Sequence, residues 1–309
     1  MSSLGRSSGV IAILLMLVAS AYVRAMRAPV RLGERVARDD WRGARDMATA
    51  LLNGRGRARA AVDHAAFVLG LAHLVLGDLP EARRALEDAA RRAASPSVRA
   101  SIERQLASVD AMTGEPAAAI ARLGRPGATA GGDEEGRETQ LALALLIAGD
   151  SATAERHAMA AIGLIRERLD GALTAPMRRA YTADLTQAQC ALVQARLLRG
   201  DVAGAGAAWD ARATPDARPY VQGQLAETEA RLALTLGDRG LARERCDVAL
   251  ERYERVGAAI DVARAHVLRA GIDRDEGKLD AADGELRRLG ALGYLGEVDA
   301  ARRELQDGG

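Results

Sequence analysis

AFVLGLAHLVLGDLPEARRALEDA, running from Ala66 to Ala89, is the stretch whose reading decides the fold. Its apolar residues recur at three- and four-residue steps on either side of Gly77-Asp78. That periodicity predicts two short amphipathic helices joined by a tight turn. Gly77 suits the left-handed backbone that ends a helix, and Asp78 suits the positive end of the next. Gly70 and Ala82 fall where the paired helices would cross, and only a small side chain permits close approach there.

The same skeleton returns along the chain. Glycine turns are read at Gly77, Gly114, Gly149, Gly200, Gly237 and Gly277, followed by Asp, Glu, Asp, Asp, Asp and Lys. Five residues after each stands Ala82, Ala119, Ala154, Ala205, Ala242 or Ala282. Seven residues before each stands Gly70, Ala107, Ala142, Val193, Ala230 or Ala270. One such spacing means little in an alanine-rich helix; six turns sharing the offsets define a repeat. The pattern resembles the tetratricopeptide repeat, whose small-residue and turn positions match Gly70, Gly77, Ala82 and Ala89, and again Ala230, Gly237, Ala242 and Ala249. The resemblance covers roughly residues 31–307 and implies an all-α, right-handed α-solenoid. Successive turns lie 37, 35, 51, 37 and 40 residues apart, against about 34 in the family. The long interval predicts helices over 151–169 and 176–199.

Composition agrees with an all-helical chain. Of 309 residues, 49% are hydrophobic but only 3% aromatic, so the core must be built from Ala and Leu. No alternating run of strand formers occurs. Net charge is +1, which excludes the strongly basic footprint of a nucleic-acid binder. Lys278 is the only lysine, so arginine carries nearly all the positive charge and no single Arg is informative by type alone.

The N-terminus differs. Residues 9–23, GVIAILLMLVASAYV, hold no charge between Arg6 and Arg24. Fifteen helical residues span about 22 Å, short of a hydrocarbon core of about 30 Å unless the flanks are drawn in. Residues 1–28 therefore read as a single-pass membrane anchor or as a signal peptide cleaved near Ala21. Arg24, Arg27, Arg31, Arg35 and Arg38 place the repeats on the cytoplasmic face in the first case; export follows in the second. Residues 31–309 form the repeat domain: a partial unit over 31–53, six units over about 59–292, and a cap helix over about 296–306, whose Glu297, Arg302, Arg303 and Glu304 suit solvent. Loops are expected over 124–135, 171–175 and 213–219.

No chemistry emerges. His64, His73, His157 and His266 lie in no HExxH pattern, and Cys190 and Cys246 stand 56 residues apart in no ligand spacing. GxSxG, P-loop and CxxC patterns are absent, so the expectation is a non-enzymatic chain with no cofactor and no metal. Gly204-Ala205-Gly206 falls inside a predicted second helix and reads as close packing.

What remains is a surface. The first helices of stacked units line a concave groove, and the resemblance places His64, Phe67, Arg104, Ser108, Gln187, Gln194, Gln224, Glu227, Arg231, Arg264 and Arg274 along it. That set suits a protein or peptide partner held by side-chain hydrogen bonds, with Phe67 as an apolar anchor. Groove Asn and Lys residues that clamp a terminal carboxylate in some members are missing, since Asn53 and Lys278 lie elsewhere. The chain thus reads as a membrane-anchored interaction scaffold. The alternative is a regulatory or sensor module acting in trans, by self-association or small-ligand binding, because its irregular units resemble those of bacterial signalling regulators. Leu292 and Leu295 are the residues whose exposure would invite self-association.

Overall fold

The computed structural model describes residues 30–54, 59–125, 133–212 and 218–307. Helix α1 covers residues 30–36 of the described chain. It is followed by α2 (Trp41–Asn53), α3 (Arg59–Val75), α4 (Leu79–Arg92), α5 (Pro96–Met112) and α6 (Pro116–Leu123). Then come α7 (Glu134–Ile147), α8 (Ser151–Asp170), α9 (Ala175–Leu198), α10 (Val202–Asp210) and α11 (Pro219–Thr235). The chain ends in α12 (Arg239–Val256), α13 (Ala259–Asp273), α14 (Glu276–Arg288), a 3-10 turn over Leu292–Tyr294 and α15 (Leu295–Asp307). No strand occurs among the described residues. Consecutive helices pack antiparallel in pairs, and each first helix, from α3 to α15 by odd numbers, also touches the first helix of the next pair. The architecture is a tetratricopeptide-like solenoid of helical hairpins.

The turns show why. Gly77, Gly114, Gly149, Gly200 and Gly237 all adopt positive φ, between 76° and 94°. The sixth turn is displaced from the expected place. Gly277 lies inside α14, and the left-handed residue is Arg274, with φ 55°. The residue after each left-handed position is acidic in all six turns: Asp78, Glu115, Asp150, Asp201, Asp238 and Asp275. Four of these cap the next helix by accepting a backbone N–H three residues on: Asp150 from Thr153, Asp201 from Gly204, Asp238 from Leu241 and Asp275 from Lys278, at 2.9–3.1 Å. Asp78 pairs with His73 Nδ1 at 3.3 Å instead.

Small residues set the helix spacing. Ala82, Ala119, Ala154, Ala205 and Ala242 are all fully buried. A Cβ at Gly70 would stand 2.6 Å from Leu86 Cγ, so α3 and α4 meet with no room for a methyl. At Gly223 a Cβ would stand 2.7 Å from the Tyr253 ring, and the missing side chain admits that fully buried tyrosine between α11 and α12.

The C-terminal units fold back on the first ones. One core cluster joins Leu74, Leu79, Leu86, Ile102 and Val109 of α3–α5 to Ile260, Val267, Leu279, Leu286, Tyr294 and Val298. The α3–α4 turn at Gly77 faces Ala259, Ile260 and Leu289, and the α5–α6 turn at Gly114 faces Leu292. Gly257 lies against Leu76, and Gly293 against the Ala111 carbonyl and Ile147. Tyr220 N–H donates to Asp39 Oδ2 at 3.0 Å, across the same seam.

One expectation is corrected. Among the described residues no helix is long and apolar enough to cross a membrane, because each turns an apolar face inward and carries charge on the other. The single-pass assignment is withdrawn, and residues 9–23, on which it rested with the cleavage site near Ala21, lie outside the described residues.

Candidate partner-binding groove

The residues expected in the groove lie on first helices, apart from Arg274 at a turn. On α3 the stripe holds His64, which is exposed, and Phe67, which packs partly buried against the large core. On α5 it holds Arg104 and Ser108. Arg104 is ion-paired with Asp133 and donates to Ser101 Oγ at 3.4 Å. Ser108 donates to Gln140 Oε1 of α7 at 2.7 Å, which ties two neighbouring first helices. Gln187 and Gln194 on α9 and Gln224 on α11 are half-buried. Arg274 sits at the α13–α14 turn, exposed, rather than in the helical stripe.

Toward the C-terminus the stripe becomes a closed charge network. Arg231 donates from Nε and Nη2 to Glu227 Oε1 at 3.1 and 2.8 Å, and from Nη2 to Glu297 Oε2 at 2.6 Å. Arg264 Nη2 reaches Glu227 Oε1 at 3.1 Å and Glu297 Oε1 at 3.0 Å, while its Nη1 reaches Asp261 at 3.5 Å. Tyr253 donates to Glu227 Oε2 at 2.9 Å and Tyr220 to Asp261 Oδ2 at 3.2 Å. The Arg264 guanidinium lies 4.5 Å from the Tyr294 ring centroid. Helices α11, α13 and α15, with Tyr253 of α12, are thus tied by groups that satisfy one another. Glu297, expected at a solvated face of the cap helix, belongs to this network.

Burial and charge pull the three carboxylates apart. Burial raises Glu297, but Arg231 and Arg264 outweigh it and bring the group down to about 2. Glu227 is likewise held low by Arg264 and Arg231 against its burial. Asp261 goes the other way: burial dominates the pull of Arg264 and pushes it up to about 6. Asp184, on α9, is open to solvent, yet loss of hydration among the surrounding chain pushes it up to about 6 against Arg104 and Arg218.

Cys190 and Cys246 are buried free thiols, both pushed up to about 12 by burial, so neither is a nucleophile at neutral pH. Among the described residues no group of three or more His, Cys, Asp and Glu could hold a metal ion. Sequence reasoning passed over Asp184, Asp261 and the three tyrosines, and assigned Glu297 to solvent. The available signal was periodicity: Asp261/Arg264 and Tyr294/Glu297 repeat the three-residue spacing of Gln224/Glu227.

No protein-family model matches the chain. No curated protein matches it. Solved structures do. The apo form of RapI is 11% identical, with 88% of this chain and 76% of that chain covered at a TM-score of 0.45. A tetratricopeptide repeat protein from Parabacteroides merdae is 14% identical, with 91% and 98% covered, also at 0.45.

The two ends of the stripe differ chemically. In the C-terminal network the charged groups point at each other. On α9 and α11 the side-chain amides of Gln187, Gln194 and Gln224 have no hydrogen-bond partner among the described residues. A half-buried amide with a free donor and acceptor gains most from a guest that supplies both.

Proposed function

We propose that this chain is a non-enzymatic interaction scaffold that holds an extended peptide segment of a protein partner along the first-helix stripe. The observation that carries the reading is the row of unpartnered, half-buried glutamine amides on the adjacent helices α9 and α11. A peptide backbone presents an N–H and a C=O at every residue, the pair that a primary amide matches. Asp184 lies on the same helix as two of these glutamines and would favour a guest with a positive side chain beside it. The buried network of α11, α13 and α15 is the rigid wall against which the guest lies, not a contact that it makes.

The test is photocrosslinking from position 194 of the full chain in its own cell, with the captured segment mapped by mass spectrometry. One discrete peptide segment should be captured, and Gln187→Ala should weaken its binding about fivefold, as expected for a lost hydrogen bond of about 1 kcal/mol. Diffuse capture, or capture indifferent to Gln187→Ala, rules out the groove as the binding surface.

A further inference from the structure

Tyr220, at the start of α11, is pinned from two distant parts of the chain. Its backbone N–H donates to Asp39 Oδ2 at 3.0 Å, and its hydroxyl donates to Asp261 Oδ2 of α13 at 3.2 Å. Trp41, the first residue of α2, packs with Tyr220 on the cluster of Tyr253, Val256, Ala258 and Ala265. The turn from Asp39 to Trp41 is thus seated on the C-terminal units. Two groups in this seat are poorly served while it is closed. The Trp41 indole N–H is buried with no acceptor among the described residues, and water could bond it only if the seat parted. The acids also outnumber the cations, because Glu227, Glu297 and Asp261 share Arg231 and Arg264. Both guanidiniums bond Glu227 and Glu297, at 2.6–3.1 Å, whereas Asp261 is reached only by Arg264, at 3.5 Å.

The surroundings of Asp261 decide what its charge meets. Tyr220 and Glu227 of α11, Tyr253 of α12, Arg264 of α13 itself, Tyr294 of the 3-10 turn and Glu297 of α15 all act on the same cluster. No charged group of α14 is bonded to Asp261 among the described residues. From the N-terminal side come Asp39, through Tyr220, and Arg42, which lies beside Gly257. An ionised Asp261 is therefore the carboxylate with the poorest share of cation, and it holds the hydroxyl end of Tyr220. We propose that Asp261 is a pH-sensitive release for this seat: protonated, it keeps the Asp39–Trp41 turn fastened to α11 and α13; ionised, it loosens that contact. Burial, helped by Glu227 and opposed by Arg264, pushes the carboxyl up to about 6. The bound proton thus favours the closed seat. Its tightening is complete below about pH 4 and is lost as pH rises through about 6. Glu227, Glu297, Arg231 and Arg264 keep one another in either state, and α2 stays packed on α3. The release needs no guest in the groove.

The experiment is hydrogen-exchange mass spectrometry of the full chain in steps from about pH 5 to about pH 8, corrected for the pH dependence of free-amide exchange. Amides of residues 38–46 and 220–224 should exchange well before the slowest amides of α8. Their protection should be about tenfold lower at the alkaline end than at the acid end, the ratio expected for a carboxyl moved from about 4 to about 6. Asp261→Asn cannot ionise and should make protection equal at both ends. Tyr220→Phe covers the case in which Asp261→Asn does not fold. It removes a hydroxyl that opposes the rise of Asp261, so the pH at which protection falls should move up. Equal protection across the range in the wild type, a fall that survives Asp261→Asn, or a midpoint that does not move up in Tyr220→Phe overturns the inference. So does exchange at the seat no faster than the slowest amides of α8, because the contact would then open only with the whole chain.

Discussion

Replacing Arg264 by methionine keeps the apolar stem and removes the one cation that touches all three carboxylates of the C-terminal network. Glu227 would keep Arg231 and Tyr253, and Glu297 would keep Arg231. The side chain of Glu227 is only 3% exposed, so the contact it loses cannot be replaced by water. Removing one partner from a buried ion pair costs about 3–5 kcal/mol, and the partners that remain put this case near the lower figure. About 3 kcal/mol corresponds to roughly a 150-fold rise in the population of locally open states. Hydrogen-exchange mass spectrometry of the full chain should show that rise in peptides from α11, α13 and α15. Peptides from α8, which touches none of these groups, should keep their protection. A change below about fivefold, or one of equal size in α8, would show that the network does not hold the three helices together.

Three further outcomes are expected. Gly77→Ala and Gly200→Ala impose the same left-handed strain of about 1 kcal/mol, but at Gly77 the new methyl also meets Ala259 at 3.0 Å, while at Gly200 it meets nothing within 4 Å. Urea unfolding should therefore show the larger loss for Gly77→Ala, and equal losses would contradict the fold-back contact. Asp110 is 2% exposed and held by Arg83 at 2.6 Å and Arg122 at 2.8 Å, so Asp110→Ala should cost about 3 kcal/mol or more in the same assay. For pH, Glu297 is depressed to about 2, so its stabilisation is complete above its ordinary pKa and fades as pH falls toward 2. Asp261 is raised to about 6, so its ionisation works against the fold and stability should rise as pH falls from about 7 toward 4. The thermal midpoint should peak near pH 4, and Asp261→Asn should flatten only the limb that falls from there toward pH 7; an unchanged alkaline limb would refute the assignment.

The local grammar was legible because it is local. A glycine followed by an acid marks a helix end and the next cap within four residues, and five of six turns stand where that rule puts them. The long interval also yielded: helices expected over 151–169 and 176–199 are observed as Ser151–Asp170 and Ala175–Leu198. The rule failed at the sixth turn because Arg274 takes the left-handed conformation, which arginine seldom adopts, while Gly277 lies three residues on. The acid at Asp275, not a glycine, was the better marker there. The network was only half visible. Glu227, Arg231 and Arg264 were placed on the stripe by the family resemblance, but their pairing with Glu297 depends on how α15 lies against α13. A charged residue on a final helix reads as solvated until that packing is known. The fold-back seam left no periodic signal at all, since it is made of single residues such as Gly293 and Ile147 that meet across distant parts of the chain.

That seam changes how the molecule should come apart. A linear array touches only its nearest neighbours, so its free energy is close to a sum over units and its ends can fray alone. Here residues 181 apart in sequence share a hydrogen bond, and the last helices share a core with the first. Closing a loop of that length costs about 4–5 kcal/mol in chain entropy, a cost absent from the neighbour contacts. Folding should therefore have a late, slow step in which the two ends meet. Once closed, neither terminus frays independently. Deleting α13–α15 would expose Leu76, Met112 and Ile147 some 150 residues upstream, so a truncation at one end should be felt as a loss of cooperativity at the other.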